Sequence, residues 1–195
     1  MFTVSPCAAG CGKTAITGSN LCFTHQANPE KEIQRIAAYI DQNLIVKNLN
    51  VTGMRFSGID FSKHHFYGCS FRNTSFIKCV LSQTDFGMSF FDFSEFCDCD
   101  FSGSNIKFLS FAGSILYNCN FDGSELMYVN FTGASITKTT FDNSNLYNSR
   151  FVNANLESST FVNCNLKRAN FFNAKQKNVL FKSSNHAEAI FETET

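Results

Sequence analysis

The fold is decided by a stretch of residues 116–136, which reads LYNCNFDGSELMYVNFTGASI. Every fifth residue in it is large and apolar, and this spacing holds from Phe56 to Phe191. Of the twenty-eight positions in the series, only Gln176 and His186 are not Phe, Leu or Ile. A small residue usually stands two places before the large one, as in Ser94, Cys99, Ser104, Ser114, Cys119, Ser124, Ala134 and Ala154. A repeat this regular determines the architecture.

A period of five residues fits neither a regular helix nor a regular strand. A helix advances about 100° per residue, so every fifth residue lies about 140° further around its axis and no stripe forms. A strand alternates its faces, so every fifth residue would change sides. If the chain turns a corner once per repeat, every fifth residue points inward at the same depth. The period therefore predicts a solenoid of very short strands, stacked about 4.8 Å apart.

The identity of the inward residues indicates the number of sides. From Leu116 to Phe171, Phe alternates strictly with Leu or Ile. Four sides would place Phe in two opposite columns and aliphatic residues in the other two, whereas three sides would mix them. We therefore expect a rectangular cross-section and about seven coils, which form a rod of about 34 Å.

These repeats resemble the pentapeptide-repeat family, whose consensus is Ala-(Asp/Asn)-(Leu/Phe)-x-x. The matching triplets include Ala154-Asn155-Leu156, Cys164-Asn165-Leu166 and Ala169-Asn170-Phe171. The resemblance implies an all-β fold, a right-handed, four-sided parallel β-helix. It implies protein binding as the function, since known members bind proteins. Some members mimic DNA and shield type II topoisomerases from quinolones.

Composition limits the function and the location of the protein. The 195 residues contain sixteen basic and sixteen acidic side chains, so the formal net charge is zero. This balance argues against a broad nucleic-acid-binding surface and against imitation of DNA over the whole surface. The sequence lacks a run of eighteen apolar residues and begins without the features of a signal peptide, which predicts no membrane contact. The nine cysteines are odd in number and five occupy inward positions, so we expect a reducing, cytoplasmic setting.

Residues 1–28 do not follow the repeat and are predicted to form a separate head. They contain four soft metal ligands, Cys7, Cys11, Cys22 and His25. A Cys3His set is a common structural zinc site, and nearby glycines allow the tight turns that it needs. Because the head has few large apolar residues, a metal would replace its core. We predict one structural zinc ion without an open coordination position; the alternative is three free thiols in an unstructured tail.

The segment Gly10-Cys11-Gly12-Lys13-Thr14 resembles the end of a phosphate-binding loop. The motif G-x-x-x-x-G-K-[ST] requires a glycine where Cys7 stands, and too few residues precede it for a strand. We therefore do not expect nucleotide binding.

A helix is predicted over residues 29–45. Asn28 suits the N-cap position and Pro29 the first helical position. An apolar stripe at helical spacing follows, formed by Ile33, Ile36, Ala37 and Ile40. Because the first coil of a solenoid must be covered, we expect this helix to cap it; the alternative is a helix that binds a partner. The β-helix then occupies residues 46–195.

One outward column is rich in aromatic residues and methionine. We call it the aromatic strip, and its members are Tyr67, Met88, Phe108, Met127, Tyr128 and Tyr147. Continuous exposed apolar surface of this kind marks partner-binding sites, although strands favour aromatic residues in any case. The strip predicts a face that binds a protein partner, whose identity the sequence does not reveal.

The sequence contains no catalytic constellation. The coils have no insertions that would carry an active site, and the pair His64 and His65 divides between an inward and an outward position. The inward cysteines of one column point in parallel and do not converge on a disulfide or a metal, namely Cys79, Cys99 and Cys119. We predict that the protein is not an enzyme.

The repeat weakens after Phe171, where Gln176 and His186 take inward positions. The family resemblance implies a homodimer through this C-terminal coil, and a monomer with a frayed last coil is the alternative.

These features predict a non-enzymatic scaffold or protein-interaction rod that does not bind nucleic acid directly. The alternative is a DNA mimic that binds or protects a type II topoisomerase. Its acidic side would be weak, since it consists of Asp60, Asp100, Asp122 and Asp142.

Overall fold

The structure is a computed structural model that describes residues 5–191. Helix α1 spans Pro29–Asp41, and short 3-10 turns lie at Phe23–His25 and His186–Glu188. Within the described residues, the three-residue strands are β1 Ile45–Lys47, β2 Arg55–Ser57, β3 His65–Tyr67, β4 Ser75–Ile77, β5 Asp85–Gly87, β6 Glu95–Cys97, β7 Ile115–Tyr117, β8 Ser135–Thr137, β9 Asn155–Glu157 and β10 Lys175–Lys177. Across residues 5–191, no helix is long and apolar enough to cross a membrane.

The strands form a parallel β-solenoid of about seven turns, as the spacing predicts. Strands β1, β3 and β5 make one sheet, and the other seven make a longer one. Partners lie twenty residues apart, as in the pair Phe56 and Phe76. The remaining sides are joined by single bridges of the same spacing, such as Asp100 with Asn120 and Ser110 with Asn130. Twenty residues per turn and one inward residue in five give the four predicted sides.

The core consists of the inward residues, which are buried from Val46 to Phe171. Phe rings of one column stack nearly parallel from coil to coil, for example Phe101 on Phe121, with centroids 4.6 Å apart. Rings of the two Phe columns meet edge to face across the rod, as Phe121 and Phe131 do at 87°. Both arrangements are favoured by aromatic pairs. The Phe and aliphatic columns are separate from Leu116 to Phe171, as predicted, whereas nearer the N-terminus Phe96 stands in the same column as Leu116.

The small residues two places before the large ones also point inward and are buried. Where such a residue is serine, its hydroxyl in most cases donates to the preceding coil: Ser104 Oγ lies 2.7 Å from the Leu81 carbonyl oxygen, and Ser124 Oγ lies 2.8 Å from that of Phe101. Ser114 instead donates to the Phe111 carbonyl oxygen of its own coil. These bonds satisfy hydroxyls that would otherwise destabilise an apolar core.

The N-terminal end of the solenoid is covered by α1. The Asn28 side chain accepts a hydrogen bond of 3.0 Å from the backbone N–H of Lys31, and Pro29 is the first helical residue, as the sequence predicts. The helix buries Ile36 and Ile40 against the first coil. The capping role predicted for the helix is therefore confirmed.

The C-terminal end has no comparable cover among the described residues. From residue 172 to residue 191 no side chain is fully buried, and Gln176 and His186 are exposed. Phe181 and Phe191 stack on the preceding rings of their columns but remain half-buried. The two ends of the rod therefore differ in apolar exposure.

Candidate metal centre and binding face

The head folds as two tight turns that bring its soft ligands together. In the first turn, the Gly10 N–H donates to the Cys7 carbonyl oxygen at 3.0 Å, and both Gly10 and Gly12 have positive φ angles of 68° and 77°. In the second, the His25 N–H donates to the Cys22 carbonyl oxygen at 3.0 Å. Two ligands from each turn thus face one point.

All four residues predicted as metal ligands meet at that point. One ligand atom from each of Cys7, Cys11, Cys22 and His25 lies within 4.8 Å of the others. The Cys11 and Cys22 sulfurs are 3.7 Å apart, and His25 Nδ1 lies 3.4 Å from Cys7 Sγ and 3.5 Å from Cys22 Sγ. This geometry suits a metal ion held by three sulfurs and one nitrogen.

The electrostatics of the cluster favour a thiolate at Cys7. The backbone N–H of Cys22 donates to Cys7 Sγ at 3.2 Å, and this bond, followed by the contact with His25, lowers the pKa of Cys7 to about 6. A thiolate is the form of cysteine that binds metals. By contrast, burial raises the pKa of the core thiols Cys69 and Cys164 to about 11.

The phosphate-loop-like segment is one wall of this cluster. Cys11 contributes a sulfur to the centre, and the Lys13 ammonium donates to Thr24 Oγ1 at 3.0 Å. The segment begins no helix and follows no strand of the solenoid. Its local structure therefore differs from that of a nucleotide-binding loop.

The head is attached to the first coil by hydrogen bonds that the sequence did not indicate. The Thr17 N–H donates to the Asn50 carbonyl oxygen at 2.9 Å, and the Asn50 N–H donates to Thr17 Oγ1 at 2.7 Å. Ile16 is buried in the same apolar core as the coils. The head therefore covers part of the N-terminal end together with α1.

The aromatic strip runs along one corner of the rod. Met88 and Phe108 are 75% and 69% exposed, Tyr67 and Tyr128 are exposed to a lesser degree, and Met127 and Tyr147 are half-buried. Side-chain contacts order the strip from Phe108 onward. The Phe108 ring stacks on Tyr128 with centroids 4.9 Å apart, and Tyr128 meets Tyr147 edge to face at 5.7 Å. The Tyr147 hydroxyl accepts a hydrogen bond of 3.2 Å from Arg168.

A groove of about 500 Å³ opens at the N-terminal half of the strip. Its walls include Tyr67, Met88, Phe108 and Lys47. The Tyr67 ring lies over Gly87, where any Cβ would approach ring carbons to 2.6 Å, and its hydroxyl donates to Asp85 at 3.1 Å. One wall of the groove is thus held in place before any ligand arrives.

The backbone of the strip has a feature that the sequence analysis missed. Met88, Phe108 and Tyr128 have φ angles of 50°, 61° and 60°, in the left-handed region. Gly and Asn adopt this region readily, and Asn48 and Gly68 do so at the equivalent corner of earlier coils. The signal available in the sequence was a run of large apolar residues at a corner that Asn48, Gly68 and Asn148 hold in other coils.

A second exposed apolar patch lies elsewhere on the rod and was also missed. Its members are Ile77, Phe93, Ile115 and Tyr117. Phe93 is 65% exposed, has a φ of 58°, and rests its ring on Gly113. Phe93 therefore offers a matched control for Phe108 at another corner.

The acidic residues of the predicted ladder bind turn backbone and neighbouring amides. Asp60 and Asp100 accept from the N–H groups of Ser62 and Ser102 at 2.8 and 3.0 Å, and Asp142 accepts from that of Val162 at 2.8 Å. Asp122 accepts from the Asn143 side chain at 2.7 Å. These carboxylates therefore stabilise the coils by accepting hydrogen bonds from backbone and side-chain N–H groups.

Short parallel strands wound into four-sided coils, with one inward apolar residue in five, define a class of β-solenoid proteins. Two family profiles match the sequence, described as "Pentapeptide repeats (8 copies)" over residues 55–87 and "Pentapeptide repeat region" over residues 114–191. The chain belongs to the pentapeptide repeat family.

The chain also matches solved structures, some of which are described as pentapeptide repeat proteins. Rfr23 from the cyanobacterium Cyanothece 51142 is 10% identical, with 81% of this chain and 99% of that chain covered and a TM-score of 0.33. QnrB1, a plasmid-mediated fluoroquinolone resistance protein, is 18% identical, with 73% and 81% covered and a TM-score of 0.31. HetL, involved in heterocyst differentiation regulation in the cyanobacterium Nostoc, is 13% identical, with 80% and 95% covered and a TM-score of 0.26. No curated protein matches the sequence significantly.

Proposed function

We propose that the protein is a non-enzymatic scaffold that binds a partner protein through the aromatic strip and holds a structural zinc ion in its head. The observation that carries the binding proposal is the exposure of ordered apolar side chains along the strip: Met88 and Phe108 are 75% and 69% exposed, and the Phe108 ring stacks on Tyr128. Exposed apolar surface of this kind supports a binding role. The left-handed backbone of these residues does not distinguish the strip, because the other corners of the coils share it, among them Lys63, Lys78 and Gln83.

Zinc is supported by the distances within the cluster. Zinc binds sulfur at about 2.3 Å and nitrogen at about 2.0–2.1 Å, so a regular tetrahedron separates two sulfurs by about 3.8 Å and sulfur from nitrogen by about 3.6 Å. Three of the ligand separations, 3.7, 3.5 and 3.4 Å, are close to these values, and all lie within 4.8 Å. All nine cysteines are free, which supports a reducing, cytoplasmic compartment.

We expect purified protein, prepared without chelator, to contain about one zinc ion per chain. The measurement is elemental analysis of the wild type beside Cys22→Ser and Cys97→Ser. The first variant loses a ligand and should lose the metal, whereas Cys97 lies outside the cluster and its variant should keep it. A zinc-free folded wild type, in which Cys7, Cys11 and Cys22 all react readily with a thiol reagent, would refute the site.

We expect Phe108→Asn to reduce recovery of the partner by at least about tenfold, because an exposed, ordered aromatic residue is a typical binding hot spot. Stability should change by no more than about 1 kcal/mol, since the lost ring stacking is offset by relief of the left-handed backbone. The measurement is quantitative affinity purification with wild-type, Phe108→Asn and Phe93→Asn baits.

The Phe93→Asn bait is the matched control, because Phe93 has similar exposure and the same backbone conformation. It should recover the partner as the wild type does. If all three baits recover the partner equally, the strip is not the binding face. If only Phe93→Asn loses the partner, the binding site is the second patch.

The C-terminal coil is the second contact surface that we propose, between two copies of the chain. Leu180 and Ile190 are exposed there, and Phe181 and Phe191 are only half-buried. Association of two copies would cover these residues.

The alternative of a DNA mimic that protects a type II topoisomerase has no specific support in the geometry. DNA presents about one negative charge per 1.7 Å, so a rod of about 34 Å needs about twenty. The acids of this chain equal its basic residues in number, and those on the acidic side bind turns.

A further inference from the structure

The charges along the aromatic strip are unevenly paired. Each acid on this side of the rod already has a partner. Asp85 accepts hydrogen bonds from Tyr67 and Asn105. Glu125 and Glu188 form salt bridges with Lys107 and Lys167, and they accept hydrogen bonds from Asn145 and Asn185. Lys47 at one end of the strip and Arg168 at the other form no salt bridge with any residue between 5 and 191. Within the described part of the chain, the strip thus has a cation without a salt bridge at each end, Lys47 and Arg168, and every acid beside it already takes part in hydrogen bonds or a salt bridge.

The groove between these cations suits one large apolar side chain. Tyr67 and Phe108 form opposite walls, Met88 lies exposed between them, and Lys47 stands at the margin. Methionine adapts its shape to different apolar groups, and the ordered rings lose little freedom on binding. A carboxylate next to the apolar anchor would lie within reach of Lys47.

We propose that the segment recognised by the strip is an acidic peptide with an apolar anchor residue, which enters the groove between Tyr67 and Phe108 while its carboxylates face Lys47 and Arg168. This inference rests on the proposed function of the strip. Lys47 and Arg168 are separated by six coils, about 29 Å, which an extended segment of about nine residues spans.

The test is selection of random sixteen-residue peptides on immobilised full-length protein in low salt, followed by sequencing. We expect enrichment of peptides in which Asp or Glu flanks Phe, Leu or Trp. One enriched peptide is then synthesised with a fluorescent label, and its Kd is measured by anisotropy. The double variant Lys47→Glu/Arg168→Glu should raise this Kd about fivefold or more, and added salt should weaken binding to the wild type.

Two controls make the outcomes distinguishable. The double variant Lys78→Glu/Lys138→Glu makes the same charge change at the diagonally opposite corner and should leave the Kd unchanged. Phe108→Asn should abolish the selection. Peptides that are enriched without acidic residues, that depend on Phe108 and that are insensitive to the double variant would overturn the acidic partner and leave the binding face standing. Peptides recovered equally by wild type and Phe108→Asn would overturn both proposals.

Discussion

Phe121→Ala should lower the free energy of unfolding by about 3–5 kcal/mol. The Phe121 ring is buried and stacks between those of Phe101 and Phe141, with centroids 4.6 and 5.0 Å away, and it meets Phe131 edge to face. Removal of the ring leaves a cavity in the middle of a column, where coils above and below prevent collapse. Urea denaturation followed by circular dichroism measures the change.

Phe93→Ala provides the control, because it deletes the same ring from a position that is 65% exposed. Its loss should be below about 1 kcal/mol. If the two substitutions destabilise the protein equally, the assignment of inward and outward positions is wrong. The residues of the aromatic strip could then no longer be taken as exposed.

Withdrawal of zinc should release the head from the rod and destabilise the N-terminal end by several kcal/mol, since structural zinc contributes about 10–16 kcal/mol in small metal-dependent domains. The head has little core of its own besides the Cys/His cluster, and its bonds to the coil pass through Thr17 and Asn50. Hydrogen exchange after addition of a chelator is the measurement. Protection should disappear from residues 5–27 and weaken in the first coil, whereas residues 116–171 should keep it.

Cys22→Ser should reproduce this exchange pattern without chelator, and Cys97→Ser should not. Protection of residues 5–27 that persists after complete removal of the metal would show that the head is held by its contacts with Asn50 and by burial of Ile16 alone.

Much of the fold was predictable because the five-residue period of the sequence determines which side chains point inward. The five-residue spacing from Phe56 onward identifies every inward residue, and the alternation of Phe with Leu or Ile gives the number of sides. The convergence of Cys7, Cys11, Cys22 and His25 was equally visible, since these residues lie in a segment outside the repeat. In both cases local spacing alone determines which side chains meet.

The features that were missed depend on contacts between distant segments or on backbone angles. Ile16 joins the coil core although it lies outside the five-residue repeat, because the head folds back over Asn50. The left-handed backbone of Phe108 comes from its place at a corner of the coil, and the spacing of the repeat does not by itself give this angle. The patch around Phe93 and Ile115 forms across coils, so no short stretch of sequence reveals it.

The two periods of the molecule have different consequences for how such a protein diversifies. Burial depends on the five-residue repeat, whereas alignment of the strip depends on the full turn of twenty residues. Loss or gain of one repeat would leave every remaining inward residue in the core, but would rotate all downstream surface by a quarter turn. Tyr128 would then leave the corner that it shares with Phe108. An insertion or deletion of fifteen nucleotides, one repeat, thus changes which outward residues share a corner while the core stays filled. A change of sixty nucleotides, one full turn, lengthens or shortens the surface and keeps its residues aligned.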